Sequence, residues 1–520
     1  MAVPDLRGAP LLVVGAGLMG AGIVQVAALA GHPVRLYDSR AGAAAEARSR
    51  LAATLDGLVA KGKLAAEAVG AALARIQPIE ALAEAAGTAL VVEAVVEDLA
   101  VKRALFQQLE GLLGEQAVLA TNTSSISVTA IANGLAHPQR LVGMHFFNPV
   151  PLMKLVEVVS GLQTSPAVAA AIVELARAWG KTAVQAKSTP GFIVNRIARP
   201  YYAEALALLH EQAATPVVLD ACLKGAGFRM GPCELMDLIG HDTNFAVTRS
   251  VYDATFQDKR YTPSAVQRDL VDGGLLGRKS GRGFYDYSQP MPALPVAVQA
   301  APDSAREVTV HGSGPLAEAL ATAATRALAD QGWGPAREAA SGWTGLAIDG
   351  ACLVMTDGRT AQDWADALGV RDVAVFDRPQ AVLAAAQACA HPLADPAAAL
   401  QGLPLAFAVS PGSREAWRRQ ASAWLAALGA VPLPMADAPG LVVARTLAML
   451  VNEAADAVLQ GVCDEAGADA AMKLGVAYPG GPFEWLAQWS VPGVIGLLEE
   501  LDAHYRGERY RVSPWLRRRA

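Results

Sequence analysis

Leu11-Leu12-Val13-Val14-Gly15-Ala16-Gly17-Leu18-Met19-Gly20 starts as an apolar run and breaks into a G-x-G-x-x-G turn. Residues 11–14 suit a buried parallel strand. The Ala-rich stretch from Ala21 suits a helix that Gly31 can stop. A second apolar run, Val34-Arg35-Leu36-Tyr37, then ends in Asp38. Together these predict a β-α-β unit, the setting in which such a turn carries meaning. Gly15 permits the tight turn, Gly17 lets backbone approach a pyrophosphate, and Gly20 lets helix and strand pack closely. The helix start offers that pyrophosphate free N–H groups and a positive partial charge. Gly15, Gly17, Leu18, Met19 and Gly20 are therefore the candidate dinucleotide contacts. Asp38 can accept from both ribose hydroxyls, which favours NAD. Arg40 leaves some NADP use open, and FAD would suit the same fingerprint.

Three further apolar runs end in polar residues: 89–98 closing on Glu97-Asp98, 118–125 on Asn122-Thr123-Ser124-Ser125, and 141–149 on His145-Phe146-Phe147-Asn148-Pro149. In a doubly wound sheet the ligand lies beyond the carboxyl ends of the strands. Glu97, Asn122, Ser124, His145 and Asn148 are thus expected on the side of the glycine turn. After Pro149 and Pro151 the chain runs Lys154-Leu155-Val156-Glu157-Val158-Val159, an apolar strand interrupted by one acid. A buried carboxylate needs a partner, and a histidine on the neighbouring strand is the natural one. It would fix the imidazole tautomer and leave the other nitrogen as acid or base.

Composition sets the bounds. At 520 residues the chain is too long for one core, and 53% hydrophobic with 18% charged residues is globular. A net charge of −6 argues against nucleic acid as the main partner. The five cysteines, Cys222, Cys233, Cys352, Cys389 and Cys463, form no C-x-x-C pair and read as small buried residues, not metal ligands. No stretch is apolar enough to span a bilayer, and no signal pattern opens the chain. A soluble cytoplasmic protein without membrane or metal is expected.

The first 290 residues resemble the L-3-hydroxyacyl-CoA dehydrogenases. The resemblance rests on GAGLMGAGI, EAVVEDLAVK (93–102), NTSS (122–125), HFFNPVPLMKLVEVV (145–159), TPGFIVNRI (189–197) and GRKSGRGFYDY (277–287), in family order and spacing. It implies NAD-dependent oxidation of an acyl-CoA substrate, (S)-3-hydroxyacyl-CoA, to the 3-ketoacyl-CoA, or the reverse. It also implies that His145 is the acid/base, oriented by Glu157, and that Ser124 and Asn195 bind the substrate oxygen. Asn148 would help position histidine and substrate; Glu97 and Lys102 would lie at the nicotinamide end. An NAD-dependent dehydrogenase of a non-CoA hydroxy acid is the alternative. The long format resembles bacterial enzymes of phenylacetate breakdown, so 3-hydroxyadipyl-CoA and 3-hydroxybutyryl-CoA are both candidates. No hydratase-like segment is visible. The basic residues of 277–282 suit either CoA phosphates or a solvated loop.

The second half repeats the first. Thr189-Pro190-Gly191-Phe192-Ile193-Val194-Asn195-Arg196 recurs as Ala438-Pro439-Gly440-Leu441-Val442-Val443-Ala444-Arg445, and Gly231-Pro232-Cys233-Glu234-Leu235 as Gly481-Pro482-Phe483-Glu484-Trp485. Val308-Thr309-Val310-His311-Gly312-Ser313-Gly314-Pro315 echoes the glycine turn without its third glycine. The predicted class is α/β plus all-α in four parts: a doubly wound Rossmann-type domain (1–188), a helical domain (189–290), a degenerate Rossmann-like domain (291–437) without NAD, and a second helical domain (438–520). The helical copies are expected either to pair subunits in a homodimer or to pack as a pseudo-dimer within one chain.

Overall fold

A computed structural model describes residues 5–295, 302–380 and 400–520. Cys389 and parts of the predicted third domain lie outside the described residues. The chain divides into two compact units, Met1–Arg196 with Ala457–Ala477, and Ile197–Asp456 with Tyr478–Ala520.

The first unit is built on eight strands: β1 (Leu11–Val14), β2 (Val34–Tyr37), β3 (Ile76–Ile79), β4 (Leu90–Glu93), β5 (Val118–Thr121), β6 (Leu141–Phe146), β7 (Leu155–Ser160) and β8 (Thr182–Lys187). Their order is β3-β2-β1-β4-β5-β6-β7-β8, parallel throughout except that β7 runs antiparallel to β6. Residues on β1, β4 and β5 are buried on both faces, which explains why these strands read as unbroken apolar runs. The chain leaves β1 towards β2 and returns on its other side as β4. That reversal opens a crevice at the carboxyl ends of β1 and β4, where the glycine turn lies. Helix Leu18–Leu29 follows the turn directly and packs Ile23 and Val24 onto Leu11, Val13 and Leu36. Each such fully buried side chain contributes ~1.5–3 kcal/mol.

β8 would be an exposed edge, but helix Glu465–Gly475 from the second repeat lies against β7 and β8. The fit is close: a Cβ on Gly475 would sit 2.7 Å from Leu155 and 3.0 Å from Val194. Lys187 N–H donates to the Val462 carbonyl at 2.9 Å, occupying part of the edge.

The second unit holds a mixed sheet of β9 (Val308–His311), β10 (Ala336–Glu338), β11 (Gly345–Ile348), β12 (Ala351–Met355), β13 (Val373–Phe376), β14 (Pro404–Val409) and β15 (Val431–Pro434), in the order β10-β9-β11-β12-β13-β14-β15. Here β11 is antiparallel to both its neighbours, so the doubly wound pattern is broken after the first glycine-turn echo. Helix Pro216–Gly225 of the first repeat packs on β14 of this sheet. In each unit, therefore, a helix of equivalent sequence position packs near the sheet's last strands.

The first helical repeat opens on an interrupted helix: Val194–Ile197 is followed by Arg199–His210. Pro200 lacks an N–H for the preceding turn, so the ladder breaks at Ala198. Within this unit, buried charges join the helical repeats. Glu204 accepts from Arg445 at 2.6 Å and Arg509 at 2.8 Å, and Arg260 donates to Glu453 at 3.1 Å and also to Asp456. Burial works to raise the Glu204 carboxyl, but Arg509 and Arg445 hold it below its ordinary value. Cys222, Cys233 and Cys352 are buried free thiols, and Cys463 is half-buried. Among the described residues no helix is long and apolar enough to cross a membrane, and no cluster of His, Cys, Asp and Glu could hold a metal.

Candidate functional site

The glycine turn has the shape a dinucleotide needs. Gly15 is left-handed at φ 108°, and a Cβ there would strike the Ala94 carbonyl oxygen at 2.4 Å. A Cβ on Gly20 would lie 1.8 Å from the Gly15 carbonyl oxygen, so helix and turn touch through bare backbone. Gly17 caps helix Leu18–Leu29 and faces open space, leaving room for a pyrophosphate at the helix start. Leu18 is 72% exposed beside it, and Met19 packs against the core. Gly17, Leu18, Arg50 and Asn148–Pro151 help line a cavity of about 490 Å³. Asp38, half-buried at the end of β2, accepts the N–H of Ala16 at 2.7 Å and of Arg40 at 2.9 Å. These residues fit an NAD-type dinucleotide. The Arg40 guanidinium is held by both Glu46 oxygens, at 3.0 and 2.6 Å, which occupies the cation a 2′-phosphate would need.

His145 and Glu157 are register partners on β6 and β7. His145 Nδ1 lies 2.6 Å from Glu157 Oε2, with the carboxylate fully buried. The other oxygen, Oε1, accepts the N–H groups of Ile193 at 3.1 Å and Val194 at 2.9 Å. Those amides are turned inward by Gly191 (φ 75°) and Phe192 (φ 47°), two consecutive left-handed residues. The Phe192 and Phe147 rings flank the imidazole at centroid distances of 5.9 and 4.5 Å. Glu157 is thus fixed from two sides, and its Oε2 engages Nδ1 of the imidazole, leaving Nε2 outside this bond.

A second acid network closes the ends of β4 and β5. Glu97 Oε1 accepts from Thr123 Oγ1 at 2.6 Å, Ser125 Oγ at 2.9 Å, Ser124 N–H at 3.0 Å and Ser125 N–H at 3.1 Å. Burial works to raise this carboxyl, but the Thr123 hydroxyl, the Lys102 charge and the Ser125 and Ser124 bonds outweigh it and hold it low. Lys102 is buried and reaches Glu97 at 3.2 Å and Glu93 at 2.6 Å. Asn122 Oδ1 accepts the Phe146 N–H at 2.9 Å, tying β5 to the strand that carries His145. Asn195 Nδ2 lies 3.5 Å from the Ser124 carbonyl, so these two residues meet although 71 positions apart. Asn148 is exposed in the loop that lines the dinucleotide cavity.

Sequence reasoning missed several supports. Glu93, the first anchor of Lys102, also accepts Thr121 Oγ1 at 2.7 Å; an acid ending an apolar strand was its only signal. Lys181, buried at the start of β8, donates to the carbonyls of Val150 at 2.5 Å and Met153 at 2.8 Å, clamping the 148–153 loop. Nothing in its sequence surroundings marks it. Of the basic 277–282 stretch, Lys279 is ion-paired with Asp242 at 2.5 Å.

The second half keeps the backbone scaffold of the site with other side chains on it. Gly312 N–H bonds the Glu338 carbonyl as Gly15 N–H bonds that of Tyr37, so Ala339 stands where Asp38 stands and Ala317 where Gly20 stands. The β13–β14 pairing repeats that of β6–β7, placing Ala406 at the Glu157 position and Asp377 at the His145 position. Asp377 takes over the helix-start amides, accepting from Val442, Val443 and Ala444 at 2.7–3.0 Å. The left-handed pair recurs as Gly440 (φ 71°) and Leu441 (φ 49°).

Comparison with known proteins agrees with this geometry. The family model described as 3-hydroxyacyl-CoA dehydrogenase, NAD binding domain, matches residues 11–189. The companion C-terminal domain matches twice, over 191–287 and 440–520. The chain is 44% identical over 98% of its length to a 3-hydroxyadipyl-CoA dehydrogenase of Escherichia coli K12, covering 96% of that protein. It is 42% identical over 54% of its length to a probable 3-hydroxybutyryl-CoA dehydrogenase of Bacillus subtilis, covering 97% of that chain. A crystal structure of a 3-hydroxybutyryl-CoA dehydrogenase from Escherichia coli K12 superposes with a TM-score of 0.86 at 43% identity, over 99% of this chain and 98% of that one. A doubly wound sheet, a glycine turn and a buried His–Glu pair define a dinucleotide-dependent dehydrogenase. The chain belongs to the 3-hydroxyacyl-CoA dehydrogenase family and is an NAD-dependent oxidoreductase.

Proposed function

We propose that the chain interconverts an (S)-3-hydroxyacyl-CoA and its 3-ketoacyl-CoA, with the buried His145–Glu157 pair as the observation that carries the reading. NAD, when bound at the glycine turn, supplies the hydride acceptor. His145 Nε2 takes the proton of the substrate hydroxyl, and Glu157 stabilises the imidazolium that forms. Ser124 and Asn195, brought side by side, supply hydroxyl and amide donors to the reacting oxygen. Asn148 positions substrate from the loop shared with the cofactor cavity. Glu97 and its Lys102 partner present a fixed polar wall at the nicotinamide end. We also read the chain as four parts, with boundaries near residues 188, 290 and 437, and the helical copies as an intrachain pseudo-dimer.

The relatives are named for a six-carbon dicarboxylic and a four-carbon acyl group, so both remain candidate substrates. Incubation with acetoacetyl-CoA and NADH should give steady loss of absorbance at the reduced nicotinamide band. Turnover of free acetoacetate without turnover of the thioester would sink the acyl-CoA reading in favour of a free hydroxy acid.

A further inference from the structure

Asp38 anchors backbone on two sides of the crevice it closes. Its Oδ2 accepts the Ala16 N–H at 2.7 Å and its Oδ1 the Arg40 N–H at 2.9 Å, so Arg40 is fixed two residues beyond the acid that faces the adenine ribose. The Arg40 guanidinium forks onto Glu46, with Nη1 at 3.0 Å from Oε1 and Nη2 at 2.6 Å from Oε2. Glu46 stands in the first turn of helix Ala43–Ala60, where the helix dipole favours an acid. Its hydrogen bonds with Arg40, and the Arg40 charge, hold the carboxyl below its ordinary value, so it is ionised at neutral pH. One turn further along the helix Arg50 lines the dinucleotide cavity and lies 3.7 Å from Glu46 Oε2, a single and longer contact. Arg40 is therefore the guanidinium that Glu46 holds with both oxygens.

We propose that Glu46 is a specificity-determining residue that sets NAD over NADP in this chain, by occupying the Arg40 fork that a 2′-phosphate would otherwise take. Asp38 alone leaves that choice open. It repels a phosphate, but a free guanidinium two residues on attracts one, and a planar fork matches phosphate oxygens as well as it matches a carboxylate. With Glu46 in place the fork already has its acid, and an arriving phosphate must displace that carboxylate and remain beside it. The pair is exposed to solvent, its side chains 61% and 52% accessible, so the bias it sets is modest and weakens with salt. The proposal rests on the reading that the dinucleotide lies at the glycine turn with its adenine ribose at Asp38; His145 and Glu157 play no part in it.

Fluorescence titration of NADH and of NADPH into the full chain tests this by binding, without turnover. The quantity read is the ratio of the NADPH to the NADH dissociation constant in wild type, Glu46→Gln and the double variant Glu46→Gln/Arg40→Met. Glu46→Gln should lower that ratio about three- to fivefold at low salt, the scale of an exposed charge pair, and the fall should shrink as salt is added. The double variant should return the ratio towards that of wild type, because the fork that received the phosphate is gone. An unchanged ratio in Glu46→Gln overturns the proposal. So does a fall that persists without Arg40, since Glu46 would then act by its own charge and not through the fork. Wild type that binds neither nucleotide would strike the reading of the dinucleotide site, and this proposal with it; NADH binding with an unchanged ratio strikes the proposal alone.

Discussion

Glu157 faces His145 directly across two antiparallel strands, holding Nδ1 at 2.6 Å with one oxygen while its other oxygen takes the amides of Ile193 and Val194. One carboxylate therefore orients the imidazole and caps the start of the first helical repeat. Glu157→Gln places a neutral amide there and favours the wrong tautomer, so kcat should fall ~10²–10⁴-fold, as for His145→Ala. Glu157→Ala should also lose about 1–3 kcal/mol of stability for each amide left unsatisfied, read by urea unfolding. A Glu157→Gln enzyme within threefold of wild type would remove the orienting role.

Lys181 acts on the cofactor side. Its ammonium holds the Val150 and Met153 carbonyls, and Val150 packs so close to helix Leu18–Leu29 that a Cβ on Gly22 would sit 2.8 Å from it. Lys181→Met should loosen this wall and weaken NADH binding about tenfold, the worth of a charge-assisted hydrogen bond, with kcat little changed. NADH fluorescence titration beside initial-rate kinetics separates the two quantities. An unchanged dissociation constant would assign Lys181 to folding alone.

The second glycine turn should stay empty. Ala317 adds a methyl where Gly20 has none, Ala339 cannot accept from a ribose, and His311 is stacked on Trp343 with ring centres 4.1 Å apart. Equilibrium dialysis should return one NADH per chain. A stoichiometry of two would show that the second sheet binds as well.

Asp377 makes stability depend on pH in a stated direction. Burial pushes its carboxyl up to about 6, with the amides of Val443, Ala444, Arg378 and Val442 pulling the other way. An acid raised on folding holds its proton more tightly in the folded state. Its contribution is therefore full below the ordinary value of 3.8 and lost as pH rises through about 6. Asp377→Asn removes that dependence while Asp220, also raised to about 6, remains in both proteins and cancels. Wild type should thus gain on Asp377→Asn by about 2 kcal/mol between pH 7 and pH 4 in paired urea titrations. A gap that does not change with pH would contradict this.

Truncation near residue 290 should not leave a well-behaved monomer. It strips helix Glu465–Gly475 from β7 and β8, and separately leaves the buried Arg260 without Glu453 and Asp456. Removing one partner of a buried ion pair costs ~3–5 kcal/mol. Light scattering on residues 1–290 should find dimers or aggregates; a soluble monomer of native stability would speak against the pseudo-dimer.

Much of the first unit was legible because its signals are local. An apolar run, three glycines and an acid at the next strand's end are contiguous, and their spacing alone predicts the turn that Gly15 and Gly20 make. The His145–Glu157 pairing was legible because an acid inside an apolar strand demands a partner. Lys181 was not, since its acceptors are backbone carbonyls, which leave no trace in side-chain identity. Nor was Asp377 recognisable as the residue at the histidine position: only the β13–β14 register equates them, and register is not written in spacing.

By itself the sequence determined the glycine turn, the pairing of His145 with Glu157 and the duplication, because each depends on residue type at short range or on direct repetition. Tertiary structure alone decided which helix belongs to which sheet. Glu465–Gly475 packs on the first sheet and Pro216–Gly225 on the second, each covering strands distant in sequence. The physical reason is that an apolar helix face specifies that it must be buried, not against what; shape decides the partner, as at Gly475, where only a missing Cβ lets the helix reach Leu155.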